Sequence, residues 1–134
     1  MHSRTPLLPQ PNRYARTELA AGFTVVLLCG DIDLLAVEEV TLHLYAATEP
    51  PYPRVVVDLR GADFIDASAL RLLAYAHRRT IERHGHLGLV CALPWHRRIL
   101  YAAGLSLALR PRPTLAEACA AALGPARSGT DRPG

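Results

Sequence analysis

The sequence predicts one α/β domain, an open mixed β-sheet with helices packed against it. Short runs of β-branched and aliphatic residues alternate with segments whose apolar residues recur at helical spacing, a pattern typical of α/β layers. The 134 residues suffice for a single hydrophobic core. Hydrophobic residues make up 50% of the chain and charged residues 20%, which excludes a wholly disordered protein.

The amino-terminal part of the domain predicts an edge strand, a buried strand and a helix. Residues 14–18 fit a short edge strand, and residues 23–29 fit a buried strand that ends at the turn-forming Gly30 and Asp31. A helix is expected over residues 36–47, where a proline-rich segment ends it. Its inner stripe consists of Val37, Val40, Thr41 and Leu44.

The middle of the chain predicts the central strand of the sheet and a second helix. Residues 54–59 include three consecutive valines, which indicate a fully buried strand, and we expect a turn at Gly61. Asp66 is then a natural N-cap for the helix. The apolar face predicted for this helix consists of Leu70, Leu73, Ala74, His77 and Ile81.

A third core strand is predicted over residues 87–91, followed by a third helix. Pro94 suits the first position of that helix, and Gly104 suits the position just after its end. The side chains expected to face inward from it are Trp95, Ile99, Leu100 and Ala103.

The last predicted elements are a short strand over residues 105–109 and a helix that begins at Thr114 and runs through Leu123. Glu117 follows Thr114 at the spacing of a capping box. The predicted core is therefore βαβαβαβα with one extra strand in front.

Pro- and Gly-rich ends frame the predicted domain. We expect residues 1–12 and 124–134 to be flexible tails around a domain of residues 13–123. The amino terminus lacks the apolar stretch of a signal peptide, and the longest apolar run is far shorter than the roughly 20 residues that span a bilayer. We therefore expect no direct membrane insertion.

The cysteines indicate a reducing compartment. They are three in number, widely spaced and set among aliphatic residues, which favours buried free thiols over a disulfide framework or a paired-cysteine site; they are Cys29, Cys91 and Cys119. A cytoplasmic location is the corresponding expectation.

The formal charge of +3 comes largely from the chain ends. All basic residues other than histidine are arginines, and within residues 13–123 they nearly balance the acids. A nearly neutral body without a recognition-helix or zinc-finger pattern predicts no nucleic-acid partner.

The sequence offers no catalytic, cofactor-binding or metal-binding pattern. It contains no nucleophile elbow, no phosphate-binding glycine loop with lysine and no paired Cys and His arrangement. His84, His86 and His96 lack a fourth ligand at a zinc-like spacing. We therefore expect a protein that is not an enzyme and carries no cofactor.

Four blocks of sequence carry a family resemblance. Val25 to Asp33 is an apolar strand that ends in Gly, an acid, an aliphatic residue and Asp. The second block runs from the valines through Asp58 and Leu59 to residues 64–70, and the other two are residues 97–105 and 114–118. In this order and spacing they resemble the STAS domain family, which includes bacterial anti-sigma-factor antagonists and the cytoplasmic domains of some anion transporters.

One position departs from the family pattern. In the antagonists that this sequence resembles, a serine directly follows the helix-opening Asp and is phosphorylated by an anti-sigma factor that is also a kinase. Here Ala67 follows Asp66, Ser68 comes next, and Ala69 replaces the family's Gly. The resemblance therefore implies the module without its usual switch residue.

The resemblance implies a bacterial regulator that binds an anti-sigma factor with a kinase-like ATPase fold by partner switching, so that a sigma factor is released. The alternative is a phosphorylation-independent accessory or scaffold subunit of a transporter or sensory complex. Whether the chain forms a homodimer stays open. The implied partner-binding residues are Asp31, Asp33, Asp66, Ala67, Ser68, Ala69 and Arg71.

Structural explanations of the same residues also stand. Ser68 fits either a small residue in the first helical turn or a phosphorylation site shifted by one residue. Asp31 and Asp33 also fit ordinary turn chemistry at a strand end. Arg71 lies on a basic helical side that is solvated in most proteins and a docking surface in others.

Overall fold

The computed structural model describes residues 8–124, which form one four-stranded sheet with helices on both faces. The strand order is β1-β2-β3-β4; β1 is antiparallel to β2, and β2, β3 and β4 are parallel. The strands are β1 Ala15–Ala20, β2 Phe23–Ile32, β3 Arg54–Ile65 and β4 His86–Val90. The predicted α/β class with an open mixed sheet is confirmed. The proposed tails fall mostly outside the described residues.

A short 3-10 helix and five α-helices complete the domain. They are the 3-10 helix Leu34–Ala36, α1 Val37–Thr48, α2 Ala67–Glu82, α3 Pro94–Ala102, α4 Ser106–Leu109 and α5 Leu115–Leu123. Pro94 lies at the start of α3, Gly104 takes the left-handed conformation beyond its end, and the Thr114 hydroxyl accepts from the Glu117 N–H, as predicted. None of the described helices is long and apolar enough to cross a bilayer.

Two hydrophobic layers cover the sheet. Val55 and Val57 of β3 point into a large core with α1, α2 and Leu100 of α3, whereas Val56 points to the other face, against Ala118 of α5. This alternation is the period-two pattern of a strand that is buried on both faces. Continuous apolar runs in the sequence therefore became the central strands.

The predicted last strand is wrong: residues 105–109 form the turn of α4 instead. The Leu109 N–H donates to the Leu105 carbonyl, and Leu109 is buried. Short apolar runs fit a helix or a strand equally well, and leucine and alanine favour the helix. Beyond the four strands, the described residues extend the sheet by one isolated bridge, between Val90 and Arg112.

The predicted turns at Gly30-Asp31 and at Gly61 are also wrong, because both strands continue. β2 runs on to Ile32 and β3 to Ile65, with shifts of register after Leu27 and after Gly30. A Cβ on Gly61 would lie 2.8 Å from the backbone oxygen of Leu28. Glycine therefore marks a close approach of two strands within a β-bulge.

Several burial expectations are corrected. Trp95 and Ile81 are exposed, and Cys29 is exposed while the other two cysteines are buried. The buried stripe of α2 is rotated relative to the prediction; it consists of Ser68, Ala69, Leu72, Leu73, Ala76 and Thr80. The stripe thus includes small residues and a threonine as well as leucines.

A buried histidine that the sequence did not single out fastens the amino-terminal segment to α1. His43 Nε2 lies 3.0 Å from the Gln10 carbonyl, so this nitrogen carries the proton, and Nδ1 accepts from the Thr17 hydroxyl at 2.6 Å. Asn12 donates to the Glu39 carbonyl. Residues 8–12, which were expected to belong to a flexible tail, are thus hydrogen bonded to the domain.

Candidate functional site

The two central strands end side by side, and this brings two helix-opening loops together. Ile32 at the end of β2 pairs with Ile65 at the end of β3, and both side chains are buried. The 3-10 helix follows the first strand and α2 follows the second. The carboxyl edge of a parallel sheet is where open α/β folds place their binding sites.

Asp33 and Asp66 act as helix caps at this edge. The Asp33 carboxylate accepts from the Leu35 N–H at 3.0 Å. Oδ1 of Asp66 accepts from the N–H groups of Ser68 at 2.8 Å and Ala69 at 3.4 Å. Both carboxylates therefore have a local structural role, whatever further contact they make.

Ala67 and Ser68 differ in exposure at the start of α2. Ala67 is exposed, whereas Ser68 has only 6% of its surface accessible and Ala69 is buried. The residue that retains a hydroxyl is therefore largely buried, and the exposed position carries no hydroxyl.

A groove of about 300 Å³ lies between α1 and α2 beside Ser68. Its lining is mostly apolar, with Arg71 as the charged group; the lining residues are Leu34, Val37, Thr41, Ser68, Arg71, Leu72 and Tyr75. Within residues 8–124 Arg71 forms no ion pair. The groove thus offers an apolar floor next to an unpaired guanidinium.

An acidic cleft of about 370 Å³ lies on the other side of the 3-10 helix. Three carboxylates line it, from Asp31, Asp33 and Asp63. Its remaining lining residues are Arg13, Tyr14, Gly30 and Leu35. Four of the seven predicted partner-binding residues thus line the two depressions, Ser68 and Arg71 in the apolar groove and Asp31 and Asp33 in the acidic cleft. The other three, Asp66, Ala67 and Ala69, line neither.

Two leucines of the 3-10 helix lie between the apolar groove and the acidic cleft. Leu34 lines the apolar groove and is 72% exposed, and Leu35 lines the acidic cleft and is 80% exposed. Sequence reasoning missed both residues. The signal was available, since two adjacent leucines directly follow the capping Asp33 in a loop where the core does not need them.

At the end of α2 far from the carboxyl edge of the sheet, a glutamate partly neutralises the basic side of the helix. Arg79 and Arg83 both contact Glu49, at 3.0 and 3.5 Å. The hydrogen bond from Arg79 lowers the pKa of Glu49. Arg71 is not part of this network, so it differs from these arginines in being free to meet a partner.

The described residues hold no group of three or more His, Cys, Asp or Glu side chains that could bind a metal ion. His86 is bonded through Nδ1 to the Ala122 carbonyl at 3.0 Å, which ties β4 to α5. His96 is buried, with Nδ1 lacking a partner among the described residues. The contact of His86 gives it a structural role between β4 and α5.

Comparison with known proteins identifies relatives. A family model, the STAS domain, matches residues 14–118. Comparison with curated proteins finds no match. The solved structures similar to this chain include two anti-sigma-factor antagonists. One is an anti-sigma factor antagonist from Mycobacterium paratuberculosis, 26% identical, TM-score 0.73, covering 81% of this chain and 92% of that one. The other is an anti-sigma-factor antagonist (STAS) domain protein from Planctomyces limnophilus, 25% identical, TM-score 0.69, covering 81% and 97%.

A more distant structure shares the fold alone. The murine Solute Carrier 26 family member A9 anion transporter is 16% identical, with a TM-score of 0.66, and the match covers 81% of this chain and 19% of the transporter. The family match spans most of the described domain, including both helix-opening loops. The chain therefore belongs to the STAS domain family.

Proposed function

We propose that this chain is an anti-sigma-factor antagonist that binds an anti-sigma factor with a kinase-like ATPase fold in the bacterial cytoplasm. The observation that carries the proposal is the exposed leucine pair, Leu34 and Leu35, between an acidic cleft and an apolar groove. The similarity to solved antagonists at 25 and 26% identity supports it.

The chemistry of the two depressions specifies the partner surface. A basic side chain of the partner would enter the acidic cleft beside Asp31 and Asp33. An apolar side chain, followed by a carboxylate for Arg71, would fill the groove. Exposed large apolar residues between such sites are typical of protein interfaces.

The switch differs from that of the antagonists that the sequence resembles. A phosphate at the exposed start of α2 would add about −1.5 to −2 charges next to Asp66 at the interface. Ala67 cannot accept it, and Ser68 is largely buried. The protein would therefore remain competent to bind, whatever its partner's kinase activity.

The loss of the acceptor also favours the second candidate function, a phosphorylation-independent accessory or scaffold subunit of a transporter or sensory complex. The same edge of the sheet would then bind its partner constitutively. Identification of the bound protein distinguishes the two functions.

A pull-down from the native cytoplasm with identification by mass spectrometry tests the proposal. Wild-type protein should retain an anti-sigma factor, and the double variant Leu34→Ser, Leu35→Ser should lose it. With purified partner the Kd should rise at least roughly 30-fold, because burying one leucine contributes about 2 kcal/mol. Leu42→Ser is the matched control, since Leu42 is an exposed leucine on α1 outside both depressions. Recovery of transport or sensory subunits alone would favour the scaffold function.

Phosphorylation of the purified complex tests the switch. With partner kinase and ATP, the wild type and Ser68→Ala should gain no phosphate, and Ala67→Ser should gain it. Ala67→Asp should weaken partner binding by placing a second carboxylate beside Asp66. Stoichiometric phosphate on Ser68, with Ser68→Asp abolishing binding, would mean that the acceptor has moved by one residue.

A further inference from the structure

A second exposed apolar surface lies on α3 and α4 and has no part in the proposed function. Trp95 is 62% exposed, Tyr101 76% and Leu107 92%. We define the α3–α4 surface as Leu93, Trp95, Arg97, Arg98, Tyr101 and Leu107. None of these residues lines the apolar groove or the acidic cleft.

The helix geometry places its aromatic residues together. His96 and Leu100 form the buried side of α3. Trp95, Arg98 and Tyr101 follow one another at intervals of three residues, so they occupy the opposite side of the helix. The Arg98 guanidinium lies 5.8 Å from the centre of the Trp95 ring. α3 contacts α4, which carries Leu107.

The charge of this surface is of one sign. Between Glu82 and Glu117 the sequence contains no acidic residue. Arg97 and Arg98 are exposed, and neither forms an ion pair within the part of the chain that the structure describes. The nearby Arg110 is not counted with them, because its guanidinium donates a hydrogen bond to the Ala121 carbonyl at 2.7 Å. The two arginines therefore complement an anionic surface.

This composition fits a lipid surface better than nucleic acid. Tryptophan, tyrosine and arginine are amphipathic side chains that favour the boundary between lipid headgroups and acyl chains, and a projecting leucine gains free energy by entering the apolar layer. Nucleic-acid affinity depends on many phosphate contacts. Two free arginines provide few such contacts, and Leu107 would provide none.

We propose that the α3–α4 surface docks peripherally on bilayers that contain anionic phospholipids. Trp95 and Leu107 enter the headgroup region, and Arg97 and Arg98 contact lipid phosphates. The contact is interfacial and needs no membrane span. It leaves both depressions at the edge of the sheet free, so it stands independently of the anti-sigma-factor proposal.

Trp95 provides a direct reporter, because it is the one tryptophan of the chain. Vesicles of phosphatidylcholine and phosphatidylglycerol in equal parts should shift its emission to shorter wavelength, and brominated lipids should quench it. Vesicles of phosphatidylcholine alone should give a much smaller change. High salt should weaken the binding, because it screens the arginines.

Three variants test the residues. Arg97→Gln with Arg98→Gln should lower the partition coefficient about 25-fold, since each arginine near an anionic leaflet contributes about fivefold. Leu107→Ser should also lower it, and its exposure means that the fold is retained. Arg78→Gln, the same charge change at an exposed site on α2, is the matched control and should leave binding unchanged. Circular dichroism checks the fold of each variant.

The proposal is overturned if anionic vesicles leave Trp95 emission unchanged, or if Arg78→Gln weakens binding as much as a single Arg97→Gln or Arg98→Gln change. Binding of duplex DNA without binding of vesicles would assign the surface to nucleic acid. A concentration-dependent Trp95 shift without lipid, accompanied by dimerisation, would assign it to a second copy of the chain.

Discussion

The carboxylate of Asp66 serves two expected purposes, which substitution can separate. As a cap it accepts from two backbone N–H groups at the start of α2, those of Ser68 and Ala69. Asp66→Ala removes both hydrogen bonds and leaves the N–H groups to water or to burial. Asp66→Asn keeps an acceptor oxygen in the same place and removes only the charge.

The expected size of the effect follows from the cap. Loss of an aspartate cap to alanine costs about 1 kcal/mol of unfolding free energy, and asparagine caps almost as well. For a domain of this size about 1 kcal/mol corresponds to a fall in Tm of about 4 °C. Asp33→Ala should cost less, because Asp33 has one such hydrogen bond and caps a helix of three residues.

Urea denaturation followed by far-UV circular dichroism measures these differences, and titration of the purified partner measures binding. We expect Asp66→Ala to lose both stability and affinity, and Asp66→Asn to keep stability while losing affinity. Equal stability of Asp66→Ala and wild type would refute the cap argument. Full affinity of Asp66→Asn would show that the charge of Asp66 has no part in the interface.

Three further predictions concern the rest of the domain. Burial lowers the pKa of His43, and the hydrogen bond with the Gln10 carbonyl opposes this in part. The unfolded chain therefore binds more protons than the folded protein as the pH falls. The His43 contribution to stability should be complete above about pH 6.5 and be lost as the pH drops below it. Denaturation at several pH values should reveal this loss, and a His43→Gln variant, although less stable, should lack that component. Gly88→Ala should lower the free energy of unfolding by about 1 to 3 kcal/mol, because the new Cβ would lie 2.6 Å from the Ala118 carbonyl oxygen on α5. In the control Gly104→Ala the new Cβ meets no atom within 4 Å, so the only cost is the strain of an alanine in the left-handed backbone conformation. Iodoacetamide at pH 8 should label the exposed Cys29 first in the native protein. Cys91 and Cys119 are buried, and burial raises the pKa of Cys91 to about 11 and also raises the pKa of Cys119. Mass spectrometry of the labelled peptides measures the rates, and labelling of Cys91 as fast as Cys29 would contradict the prediction.

The sequence predicted the strands well where their residues are buried on both faces of the sheet. It predicted poorly where a strand, a helix or a turn fits the same run of residues. The valines of β3 are buried on both faces, and a run of β-branched residues favours a central strand. Residues 105–109 are a short apolar run without strong period, so tertiary packing decided between a strand and α4. The glycines at positions 30 and 61 fit a turn as well as a bulge, and only the partner strand distinguishes the two.

The candidate site was predicted in part, for a similar reason. Asp66 as a cap is a local property, and the structure agrees. The groove and the cleft depend on how α1, α2 and the 3-10 helix meet, which involves residues far apart in the sequence. Leu34 and Leu35 became significant only once these depressions had been located on either side of them.

Ala67 is exposed and Ser68 is buried because of the way α2 is rotated against the core. Moving the phosphate acceptor by one residue is therefore a large change. Asp66 stabilises the first turn of α2 through its bonds to the N–H groups of Ser68 and Ala69, and the packing of the apolar face in the core sets the rotation of the helix. With that rotation, positions 68, 69, 72, 73, 76 and 80 are buried and position 67 is exposed. Ser68 has only 6% of its surface accessible, so we expect a kinase to modify it less readily than an exposed residue. A serine at position 67 would be exposed, so the two positions are not equivalent as acceptors.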